Sequence, residues 1–191
     1  MAFAISDLHA SIRSISFVPL SVEYVYYHAC LLEMPFDPHS GVTLDQILHA
    51  VKMDGQPEEI QWPYLIQLPT DLKKYKPPKI SGSVYRRLGK AVGGPVVDKI
   101  SEELKTERLC MLVFRSSLAL VLAKPGIPVI ASPNDQPLRP HAVLAVAIGE
   151  NASERFVKVR NSWGEGWADC GYAWLSEQYI QSTFIDLVRM E

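Results

Sequence analysis

His141-Ala142-Val143-Leu144-Ala145-Val146-Ala147-Ile148 and Phe156-Val157-Lys158-Val159-Arg160-Asn161-Ser162-Trp163-Gly164 are the two halves of the stretch that decides the fold. Ala142 to Ile148 is an apolar run of strand length, and Phe156 to Arg160 is a second short run rich in Val. The polar segment around Gly149-Glu150-Asn151 reads as the turn of an antiparallel hairpin. With Ile148 roughly opposite Phe156, counting outward sets His141 opposite about residue 163, with Asn161 diagonally across. Diagonal neighbours in such a pair lie about 7–8 Å apart, within reach of long or aromatic side chains. The spacing therefore predicts an imidazole, an amide and an indole at one end of a hairpin.

An amide oxygen that accepts from one ring nitrogen fixes the tautomer and aim of an imidazole. A Trp laid over that bond shields it from water. This is the orienting half of a nucleophile–base–orienter triad of the Cys-His-Asn kind. On residue type alone, a satisfied structural histidine explains His141 equally well.

Outside the hairpin, composition removes several classes. The 191 residues are 48% apolar and carry a net charge of −2. That length suits one domain built as two lobes. Near-neutrality argues against nucleic acid and against a polybasic membrane patch, and no apolar run approaches the ~20 residues of a spanning helix. Asp7 interrupts the apolar residues of the N-terminus and no cation precedes them, so no secretory leader is expected and the expected compartment is the cytoplasm. Cys30, Cys110 and Cys170 cannot all pair. They form no C-x-x-C, and His9, His28, His39 and His49 lack metal-ligand spacing, so neither a metal nor an organic cofactor is expected.

The first half reads helical. Helices are expected over Ala2 to Ile12, over Ser21 to Glu33 with Ser21 as cap, and over Thr43 to Met53, where Thr43 and Gln46 have the spacing of a capping box. Gln56 to Pro78 is Pro-rich loop. Ile80 to Leu88 reads as a strand, and Pro95 to Lys105 as a helix with Pro95 in its first turn. Short β runs follow at Leu109 to Phe114, Ile127 to Ala131, Ala142 to Ile148, Phe156 to Arg160, Tyr172 to Leu175 and Phe184 to Val188. The expected fold is α+β: a helical lobe over about 1–75 and a β-rich, barrel-like lobe over about 76–191, with a cleft between them.

The segment from His141 through Asn161-Ser162-Trp163-Gly164 to Trp167, Gly171 and Tyr172 resembles the C-terminal signature of papain-like cysteine peptidases. Ser21 to Glu33 resembles the helix after the catalytic helix in bacterial members. Ser40-Gly41 to Trp62-Pro63-Tyr64 resembles the run from the substrate-binding glycine to the WPY turn. The resemblance implies the papain-like fold and peptide-bond hydrolysis of a peptide or protein substrate, without a cofactor. It makes His141 the general base and acid, Asn161 its orienter, Trp163 the shield and a wall of the cleft, and Gly41 a backbone contact for extended substrate. Pro140 departs from the small or polar residue usual before the histidine.

Family members carry the nucleophile in a block like Gln-x-x-x-Cys-Gly-x-Cys-x-Ala-Phe-Ala. Ala2-Phe3-Ala4 resembles its end, which would put the catalytic Cys and the oxyanion Gln before Met1. The cysteines present read otherwise: Cys30 as a buried thiol well inside the second helix, Cys110 as strand core, Cys170 as an accessible loop thiol. The expected function is a papain-like peptidase domain that keeps the His/Asn half of its triad and is inactive alone. The alternatives are a non-catalytic pseudopeptidase that binds peptides or a partner, and one half of a split enzyme whose partner chain supplies the N-terminal segment.

Overall fold

In the computed structural model, which describes residues 1–13 and 17–191, helices come first and sheet second, the α+β order expected. Contacts divide the chain into two compact units: residues 1–89 with 190–191, and residues 90–189.

In the first unit, α1 (Ala2–Ser11) buries Ile5, Leu8 and His9. Helix α2 (Val22–Cys30) starts where Ser21 Oγ accepts from the Tyr24 N–H at 3.1 Å. It stops at Cys30, three residues short of the expected end. Leu31 and Leu32 are exposed there, and the residue before Pro35 disfavours helical geometry. The capping box of α3 (Leu44–Met53) forms in full between Thr43 and Gln46. Strands β1 (Gln56–Pro57) and β2 (Val84–Tyr85) pair antiparallel, so the strand expected over Ile80 to Leu88 shrinks to the two residues that β1 can match. Rings of Tyr27, Phe36, Trp62 and Tyr75 pack together, with Trp62 and Tyr75 5.6 Å apart.

The second unit is organised by a six-stranded sheet. Its strands are β3 (Gly89–Ala91), β4 (Cys110–Ser117), β5 (Pro137–Glu150), β6 (Arg155–Arg160), β7 (Tyr172–Ser176) and β8 (Phe184–Met190), in the order β3-β8-β4-β5-β6-β7. That is an open order, not a closed barrel. Leu112 and Phe114, Val143 and Ala145, Val157 and Val159, Ala173 and Leu175 form one apolar face at strand period. Val97 and Ile100 of α4 (Val96–Lys105) and Ile180 of α6 (Glu177–Thr183) complete the core. Pro95 caps α4 from outside in extended conformation and does not occupy its first turn. Ile127 to Ala131 forms no ladder: Pro128 lacks an N–H, and only Val129 bridges to β7, bonding Trp174 and Ser176. The short α5 (Leu118–Val121) follows β4.

Candidate active site

The hairpin of β5 and β6 carries the site. At its tip Gly149 pairs with Phe156 and Ile148 with Val157, one residue off the expected pairing. Run unbroken, that register would set Leu144 opposite Asn161 and put His141 and Asn161 on opposite faces, since side chains alternate along a strand. The ladder instead bulges. Ala147 pairs with Lys158 and Ala145 with Val159, leaving Val146 as an extra residue, and Leu144 then pairs with Arg160. Continued outward, the corrected register aligns His141 with Trp163 and sets Asn161 on the same face. His141 Nε2 lies 2.7 Å from Asn161 Oδ1, and the Trp163 ring lies 4.7 Å from the imidazole, tilted by 35°.

The backbone settles which nitrogen holds the proton. Asn161 Oδ1 also accepts from the Ser162 N–H at 2.8 Å. A backbone N–H can only donate, so the amide atom facing it is the oxygen, and that oxygen can only accept. His141 Nε2 is therefore the donor. In the neutral ring Nδ1 keeps its lone pair and is the position where a proton can be taken up. Burial pushes the His141 pKa below the ordinary histidine value, and the bond to Asn161, which favours the charged ring, works against that shift.

Three aromatic side chains complete the surroundings. Phe114 pairs with His141 across β4 and β5, its ring edge-on at 6.2 Å. Trp163 packs edge-to-face with Trp167 at 5.5 Å, and buried Trp167 donates from Nε1 to the Leu120 carbonyl at 3.1 Å. The loop between β6 and β7 closes through the Asn161 N–H to the Gly171 carbonyl at 2.9 Å and the Gly171 N–H to the Trp167 carbonyl at 2.8 Å. Gly171 has φ of 88°, in the left-handed region that glycine adopts without strain. The places of Phe114 and the Val146 bulge were not anticipated from sequence. Phe114 was within reach of the same pairing count extended to β4.

Gly41, in the first unit, has φ of 84° with open space where a Cβ would stand. Cys30 ends α2, where the negative end of the helix dipole opposes a thiolate; burial above all pushes its thiol up to about 11. Cys110, fully buried at the start of β4, is pushed up by burial to about 12. Cys170 is exposed in the loop after Trp167. It lines a cavity of about 210 Å³ with Arg160, Asn161, Gly164, Glu165, Gly171 and Tyr172, a wall that does not include His141. Among the described residues no group of three or more His, Cys, Asp or Glu is arranged to hold a metal ion.

The sequence profile of the papain family of cysteine proteases matches residues 32–186, most of the chain. The chain belongs to the papain family. Its similarity to an uncharacterised peptidase C1-like protein of Acanthamoeba polyphaga mimivirus is 27% identity over 190 residues, covering 94% of this chain and 60% of that protein. The chain thus spans about three fifths of the length of that curated relative. Among solved structures, xylellain, a cysteine protease from Xylella fastidiosa, superposes with a TM-score of 0.74 at 22% identity over 100% of this chain and 77% of its own. The bromelain protease of Ananas comosus does so with a TM-score of 0.70 at 16% identity, over 99% of this chain and 87% of its own. Papain-family membership and the papain-like fold, both expected from the Asn161-Ser162-Trp163-Gly164 signature, hold.

Proposed function

We propose that this chain supplies the proton-transfer half of a papain-type cysteine peptidase. His141 acts as base and acid through Nδ1, Asn161 orients it, Trp163 shields their bond, and Gly41 contacts extended substrate through its backbone. The observation that carries this reading is the 2.7 Å bond from His141 Nε2 to an amide oxygen whose identity the Ser162 N–H fixes. Peptide-bond hydrolysis then runs by attack of a thiolate on the carbonyl, proton delivery from Nδ1 to the leaving amine, and hydrolysis of the thioester by water activated at the same atom.

On this reading none of Cys30, Cys110 and Cys170 is the nucleophile that His141 serves. Cys30 and Cys110 are buried with raised pKa, and Cys170 opens on a cavity that His141 does not line. The same observation favours a second reading, a pseudopeptidase that holds peptides or a partner without cutting.

One experiment separates the two. The chain is assayed on a fluorogenic dipeptide amide as it stands and after addition of an upstream segment of the form Gln-Gly-x-Cys-Gly-x-Cys. The peptidase reading expects no turnover from the first. From the second it expects cleavage and rapid thiol alkylation, both lost in His141→Ala. A folded extended protein with neither property establishes the pseudopeptidase reading.

A further inference from the structure

A net charge of −2 conceals an uneven distribution. Residues 71–89 hold six cations (Lys73, Lys74, Lys76, Lys79, Arg86 and Arg87) against one acid, Asp71. That segment carries +5, and the rest of the chain −7. Lys73, Lys74, Lys76 and Lys79 are all exposed, and among the described residues no ion pair engages them. Asp71 is occupied in accepting from the Lys73 N–H at 3.1 Å.

Two side-chain clamps join the segments that carry exposed isoleucines to the lysine-bearing segment. Buried Glu23 accepts the Leu65 N–H on one oxygen at 3.0 Å and the Tyr75 hydroxyl on the other at 2.8 Å. One carboxylate thus ties the loop that carries Ile66, 94% exposed, to the segment in which Lys74 and Lys76 flank Tyr75. Gln61 Oε1 accepts the Ser81 N–H at 3.1 Å and its hydroxyl at 3.0 Å, which ties the turn carrying Ile60, 81% exposed, to the segment that follows Lys79. Glu59, the nearest acid of that loop, accepts the Tyr64 N–H at 3.4 Å. Tyr75 and Trp62 anchor both loops in the aromatic core, so the isoleucines and lysines stand on a fixed base.

We propose that the face formed by Ile60, Ile66 and Lys73 to Lys79 docks on an anionic phospholipid surface. Lysine is a compact, non-directional charge suited to a diffuse anionic plane, whereas phosphate-by-phosphate recognition favours the arginine fork. Two exposed isoleucines add the shallow apolar insertion that a bilayer interface accepts and a nucleic acid or sulfated glycan does not. This inference is independent of the peptidase reading.

The test is co-sedimentation of the full chain with vesicles of phosphatidylcholine alone and with 30% phosphatidylserine (roughly the anionic-lipid regime in which polybasic segments bind), from low to high salt. The expected result is binding to the anionic vesicles only, weakening at least about tenfold as salt rises past the screening range. Changing Lys73, Lys74, Lys76 and Lys79 together to Gln abolishes it, and Ile60→Ser with Ile66→Ser weakens it several-fold while thermal unfolding is unchanged. No binding to anionic vesicles at low salt overturns the proposal, as does binding that survives the lysine changes. Binding indifferent to the isoleucine changes and matched by heparin or RNA also overturns it, marking a general polyanion patch.

Discussion

His141 and Asn161 meet at 2.7 Å across a hairpin that contains one residue too many on the β5 side. Val146 is that residue, and its bulge converts the pairing at the turn into the pairing the imidazole needs. The contact therefore depends on how many residues separate His141 from the bulge, and far less on the bulge residue itself.

Deleting Val146 should leave both ladders paired as they are, because the residues on either side already have their partners. Inserting one alanine between Val143 and Leu144 should move His141 opposite Gly164 and break the bond to Asn161. Nitrogen-15 NMR of the imidazole checks this: the Nε2–H tautomer persists in the deletion and is lost in the insertion. Loss in both would show that the bulge itself aims the histidine.

Acid should weaken the first unit through His9. This fully buried ring bonds Gln56 Oε1 at 3.0 Å, and burial, ahead of the charges of Arg87 and Arg13, lowers its pKa from 6.5 to about 4. The unfolded chain then binds the proton more readily than the folded one between those values. The stabilisation from the neutral ring is full above pH 6.5 and is lost as pH falls toward 4, by up to roughly 3 kcal/mol. Urea unfolding at pH 7.5, 5.5 and 4.5 should show the decline, and His9→Gln should flatten it.

Thiol reactivity should single out one cysteine. In the folded chain Cys170 reacts with a chromogenic disulfide within minutes, while Cys30 and Cys110 react only on unfolding. A fast second equivalent that disappears in Cys30→Ser would make Cys30 accessible and reopen it as a nucleophile.

Trp167→Phe keeps the ring against Trp163 but strips the donor from the buried Leu120 carbonyl. The cost should be about 1–3 kcal/mol, measured by denaturant unfolding. The Nε2–H signal of His141 should be unchanged, since an aromatic ring still packs against Trp163.

The hairpin end was legible in sequence because two features survive any reading: a histidine opening an apolar strand, and an Asn and a Trp two residues apart after the next. The turn-end pairing was read one residue off, and the count at His141 nevertheless came out right because the bulge absorbs one residue. Nothing in Val146 marks it as unpaired; bulges are set by how the whole ladder fits. Side-chain chemistry made the caps at Ser21 and Thr43 readable. The end of α2 was not, because Leu31 and Leu32 have helix-compatible side chains but no core to enter. The uneven charge over residues 71–89 is hidden for a different reason: a net charge of −2 averages over the whole chain.

The pinned amide of Asn161 limits the imidazole in time as well as in space. With Nε2 committed to an oxygen that the Ser162 N–H also holds, the ring has a single port, Nδ1. A proton must enter and leave by the same door, so the group that gives it up and the group that receives it have to visit Nδ1 in turn. No relay can pass straight through the ring from one side to the other, and a donor and an acceptor placed on opposite sides of it would never be connected.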